Sequence, residues 1–124
     1  MTRNQLLPNY PSNLSGGMMF TVEGNGDISP DTQTIVNRGD WIVLHKDPSL
    51  VASVTHVCAQ QNDVCKCSTF ATGVSSGAHM VICGDDTEYQ INTSAAVGTD
   101  YELYAATDEG PVENAKTGDV HIGS

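Results

Sequence analysis

Positive charge is scarce in this 124-residue chain, where five Lys and Arg stand against 15 Asp and Glu for a formal net charge of -10 at pH 7. Such a surface repels phosphate-covered partners, which argues against nucleic acid and against an anionic membrane surface. Long apolar runs are lacking as well. No stretch approaches the roughly 20 apolar residues of a membrane-spanning helix, and residues 1–8 contain no secretory apolar core. The expectation is a protein made and kept in the cytoplasm until something releases it. Sustained 3.6-residue periodicity is missing too, so little helix is expected, and no internal repeat is visible. The length suits one ordinary domain.

Catalytic signatures are equally thin. Nucleophilic catalysis needs a Ser or Cys beside a His base that a third group orients, and no Gly-x-Ser-x-Gly elbow occurs. No glycine loop with a following lysine is present to cradle phosphate. The acidic pairs Asp85-Asp86 and Asp108-Glu109 fall in turn-like sequence, where solvated surface charge is the ordinary role of such residues. The chain is therefore read as a non-enzyme.

What is present is a succession of short apolar runs separated by Gly, Pro, Asn and Asp. Residues 1–17 stand apart from it. They hold Pro8, Pro11, a Gly16-Gly17 pair and isolated apolar side chains, and read as an extended amino-terminal arm whose Leu6, Leu7, Tyr10 and Leu14 are candidate partner-binding residues. Residues 18–124 read as a single β domain. Candidate strands cover residues 18–23, 32–36, 41–45, 50–58, 78–83, 88–91, 101–106 and 119–122. The turn Gly24-Asn25-Gly26-Asp27 closes the first. Asn37-Arg38-Gly39-Asp40 predicts a hairpin between the second and third, with Trp41 on its far strand. About eight short, mostly antiparallel strands favour an all-β barrel or sandwich.

The densest group of potential ligands is His56, Cys58, Cys65, Cys67, His79 and Cys83. Structural zinc sites use paired ligands two to four residues apart on two knuckles, whereas Cys65-Lys66-Cys67 has one intervening residue and no matching second pair. On a strand that spacing would set both sulfurs on one face. With no export signal, free structural thiols are expected ahead of a disulfide involving Cys58 or Cys83, and ahead of zinc. Copper fails on order, because His79 and Met80 precede Cys83 and the next imidazole is His121. Asp85, Asp86 and Glu88 supply hard oxygens without an EF-hand pattern. Asn13-Leu14-Ser15 and Asn92-Thr93-Ser94 fit the glycosylation triplet but are idle without export. No metal and no cofactor are assigned.

One segment carries a resemblance. The run from Val97-Gly98-Thr99-Asp100-Tyr101 through Ala105-Ala106-Thr107, the turn with Gly110-Pro111-Val112, and then Lys116-Thr117-Gly118-Asp119-Val120-His121-Ile122-Gly123 resembles the closing hairpin of bacteriophage head decoration, or capsid cement, proteins. Asn37-Arg38-Gly39-Asp40-Trp41-Ile42-Val43-Leu44 looks like the first Gly-Asp strand of that family, while the cysteine-bearing middle, residues 58–83, departs from it. The resemblance implies a non-enzymatic β protein on the outer surface of a virion, bound to the major capsid protein and to neighbouring copies of itself as a dimer or trimer. The competing expectation is a small metal- or carbohydrate-binding β module using His56, Cys58, Cys65, Cys67 and Cys83, or else Trp41 and the tyrosines.

Overall fold

A computed structural model of the chain describes residues 18–30 and 32–124. The expected arm, with Leu6, Leu7, Tyr10 and Leu14, lies outside the described residues. The described chain folds as a sandwich of two mixed sheets built from eleven strands and one short helix. The strands are β1 (Met18–Val22), β2 (Ile28–Ser29), β3 (Thr34–Val36), β4 (Trp41–Lys46), β5 (His56–Gln61), β6 (Val64–Cys65), β7 (Met80–Val81), β8 (Asp86–Gln90), β9 (Asp100–Thr107), β10 (Gly110–Pro111) and β11 (Gly118–Ile122); α1 (Cys67–Phe70) follows β6. The smaller sheet runs β2-β1-β4-β8. The larger runs β3-β11-β9-β5-β6, with β10 on β9 and β7 on β5. The expectation of an all-β sandwich therefore holds, and the sheets do not close into a barrel.

Alternation explains how the two layers meet. Along β9, Tyr101, Leu103 and Ala105 turn inward while Asp100 and Glu102 are exposed; along β11, Val120 and Ile122 are buried. From the opposite sheet come Phe20 and Val22 of β1 and Ile42 and Leu44 of β4, all sealed from solvent. Burying each such side chain is worth about 1.5–3 kcal/mol, which makes this interlayer contact the main source of stability. Gly118 matters here because a Cβ at this position would stand 3.0 Å from Ile28 Cγ2, tight enough to push that side chain aside.

Three expectations need correction. Residues 32–36 and 41–45 do not form a hairpin: β3 pairs in parallel with β11, and β4 in parallel with β1. The turn at residues 37–40 instead carries the chain from one sheet to the other, with the Asp40 carboxylate accepting the Asn37 N–H at 3.0 Å and Gly39 at φ 86°. β4 has buried residues on both faces and takes partners on both sides, β1 and β8, which leaves no place for β3. Residues 50–55 are not strand. Asp47 Oδ1 accepts the Ser49 N–H and hydroxyl at 2.9 and 2.8 Å, an Asx turn that holds its carboxyl below the ordinary value. Leu50 and Val54 then reach the core from turns, so the ladder begins only at His56. Finally, the strand expected over residues 78–83 shrinks to Met80–Val81.

Candidate functional site

Strand β5 turns into β6 through Asn62 and Asp63, at φ 50° and 63°. Gln61 pairs with Val64 and Gln60 with Cys65, which makes a two-residue hairpin whose left-handed turn conformation suits Asn and Asp. This turn sets Cys65 diagonally across from Cys58, with Cα atoms 5.9 Å apart, and the two form a disulfide. Here the expectation of free thiols is corrected. The hairpin register brings these two sulfurs together. Cys67 and Cys83 are free thiols, the first buried and the second exposed.

Beyond Cys65 the chain leaves the ladder. Lys66 N–H still reaches Ala59 C=O at 2.7 Å, but α1 then begins and no strand residue faces the Ala59 N–H. The sulfur of Cys67 takes that place, accepting the Ala59 N–H at 3.1 Å, while its own S–H points to the Val57 carbonyl at 3.7 Å. β7 resumes the pairing with Met80 opposite Val57. Cys67 thus bridges a gap in the β5 edge, a role no spacing rule signals. Burial raises its pKa, and the N–H groups of Ala59 and Met80 offset part of that rise. Its sulfur lies 3.6 Å from that of Cys65, and the sulfurs of Cys58, Cys65 and Cys67 all lie within 4.8 Å of one another. The remaining members of the expected ligand group are elsewhere: Cys83 is exposed, its N–H bonded to Thr87 Oγ1, and His56 meets His79 edge-on at 5.9 Å.

Three of the four histidines each stand beside one aspartate. His45 Nδ1 is 2.7 Å from Asp86, His121 Nδ1 is 2.6 Å from Asp100, and His56 Nδ1 is 3.9 Å from Asp108. The Asp86 that the sequence offered as a calcium ligand is thus taken up by His45. Thr55 adds a hydroxyl 2.8 Å from His56, yet it meets the same Nδ1 that faces Asp108. A nucleophile relay needs hydroxyl and carboxylate on opposite ring nitrogens, so this trio is not arranged as one.

Among the described residues, two of the tyrosines offered as sugar-stacking groups are otherwise engaged. Tyr101 lies in the core against Phe70 at 4.9 Å, and the Tyr89 hydroxyl is engaged with the Val81 backbone. Asn92 of the second glycosylation triplet caps its own turn, accepting the Ser94 N–H and donating to the Ser68 carbonyl. The outer face of the larger sheet carries a shallow groove of about 350 Å³ between Gln33, Gln60, Asp100, Glu102 and Asp119, polar and acidic in lining.

Comparison with protein-family models gives no match for the chain, and comparison with curated proteins gives none either.

Proposed function

We propose that this chain is a non-enzymatic structural protein that binds the outer surface of an assembled capsid and stabilises contacts between major capsid subunits. The observation that carries this reading is the behaviour of the segment resembling decoration proteins. Residues 97–123 act as one unit: β9 and β11 pair antiparallel from Leu103–Gly118 to Asp100–His121, with β10 folded back on β9 between them. That unit forms the centre of the larger sheet, so the resemblance falls on the framework of the domain and not on a loop.

The arm of residues 1–17 is the proposed contact, with Leu6, Leu7, Tyr10 and Leu14 filling pockets on a neighbouring subunit while backbone bonds add a strand. The acidic surface suits the role, since a charge of -10 keeps the unbound protein off nucleic acid before assembly. Self-association as a dimer or trimer at junctions between coat subunits belongs to the same proposal.

The test is co-purification followed by deletion. Mature particles should carry the chain, and removing residues 1–17 should lower both capsid binding and particle heat resistance. Particles that lack the chain, or a deletion that leaves binding and heat resistance unchanged, would count against it.

A further inference from the structure

We infer that reduction of the Cys58–Cys65 disulfide opens a site for one thiophilic cation of the zinc or copper(I) type, held by the sulfurs of Cys58, Cys65 and Cys67. Three sulfurs converge within 4.8 Å from three different elements, β5, β6 and the start of α1. Two thiolates about 2.3 Å from a tetrahedral zinc ion lie about 3.8 Å apart, and Cys65 and Cys67 already stand at 3.6 Å. When the bridge opens, Cys58 has to draw back from Cys65 to the same spacing.

Backbone donors offset part of the burial that disfavours a charged sulfur at Cys67. Cys67 already takes the Ala59 N–H at 3.1 Å, and the backbone of Met80 supplies a second bond to it. Such donors stabilise thiolate and fix its direction, as outer-shell partners do around metal ligands. Cys58 and Cys67 are buried, whereas Cys65 is only half-buried. The cation therefore has one side of entry, and a water or an outside ligand can complete a fourth position there. Sulfur donors select zinc or copper(I) over magnesium or calcium.

Opening the site consumes two electrons. A dithiol reductant gives up two S–H hydrogens and becomes a disulfide, while Cys58 and Cys65 become thiols. Binding then displaces protons from the three thiols, so uptake acidifies an unbuffered solution. In the oxidised protein only Cys67 remains a thiol within the cluster, and one sulfur does not hold the ion.

The experiment uses the full chain carrying Cys83→Ser, which removes the exposed thiol from the count. Protein reduced by a phosphine without oxygen is titrated with Co2+ and then Zn2+, with circular dichroism recorded in parallel. One equivalent of Co2+ should bind with a thiolate-to-cobalt charge-transfer band, Zn2+ should displace it, and the oxidised protein should take up neither. Cys67→Ser should weaken binding more than about 100-fold, since loss of an outer-shell partner alone costs 10–100-fold. Cys65→Ser, altered at the half-buried position, should do the same and serves if Cys67→Ser does not fold. A folded, reduced protein that binds neither ion overturns the inference. So does a serine variant that binds as tightly as its parent, or a reduced protein that loses its β spectrum.

Discussion

The two edges of β5 are closed in different ways. On one side β9 runs antiparallel for five consecutive pairs, from His56–Ala106 to Gln60–Glu102, with Val57 and Ala59 buried opposite Ala105 and Leu103. On the other side the neighbour is assembled from pieces: two residues of β6, the Lys66 amide, the Cys67 sulfur and two residues of β7. The first edge is held by periodic side-chain burial. The second is held by a disulfide and a sulfur acceptor, because a helix interrupts the strand that would have paired there. An interrupted ladder can thus be completed when a side-chain atom supplies the missing acceptor.

Substitutions on each edge should separate these two kinds of support. Leu103→Ala on the regular side removes a fully buried side chain at the centre of the interlayer contact, and should cost about 2–5 kcal/mol in urea unfolding, whatever the redox state. Cys58→Ala on the patched side removes a cross-link spanning seven residues, and should cost about 2–3 kcal/mol relative to oxidised parent. Most of that difference should vanish when both proteins are compared in reductant. Cys67→Ala leaves the Ala59 N–H without its acceptor and should cost about 1–3 kcal/mol in oxidised and reduced protein alike. A loss that appeared only in the oxidised protein would mean that the sulfur supports the disulfide and not the ladder.

The raised pKa of Cys67 adds a pH signature to the same edge. Folded protein keeps this proton to higher pH than unfolded chain does. Stability should be unaffected below the ordinary thiol range, then fall as pH rises from about 8.5 through the raised value. Cys67→Ala should flatten that part of a stability-versus-pH curve, leaving the alkaline loss from Tyr89 and Tyr104, whose pKa values burial also raises. The smallest expected effect has the opposite sign. Asp63→Gly, at φ 63° in the turn that aligns the patched edge, should stabilise by up to about 1 kcal/mol, read as a shift in the urea midpoint.

The regular edge was legible in the sequence and the patched one was not. Tyr101, Leu103 and Ala105 alternate with polar residues, so the longest strand announces itself by period. The turn at residues 24–27 was equally clear, since Gly26 sits at φ 100° and the Asn25 side chain accepts the Asp27 N–H. The strands β2, β6 and β10 are two residues each, too short for any period to register. A signal for the β5–β6 hairpin did exist in Asn62-Asp63, two residues tolerant of positive φ between polar and apolar neighbours. Without that turn, Cys58 and Cys65 have no visible reason to meet. The gap that Cys67 fills depends on where α1 breaks the ladder, and α1 carries Phe70 into the core, a tertiary contact that local sequence does not announce. The arm residues Leu6, Leu7, Tyr10 and Leu14 stand as a sequence reading alone.

Strand order also imposes a timetable. Among the described residues β3 pairs only with β11, and β11 lies between β3 and β9, so the larger sheet joins residues 34–36 to residues 120–122. On a ribosome the early strand must wait, its edge open, until residues 120–122 have emerged. Such distant pairing belongs to slow folders, in the millisecond to second range. A chain stopped before residue 118 should expose that edge, and protease sensitivity of stalled chains would reveal the delay.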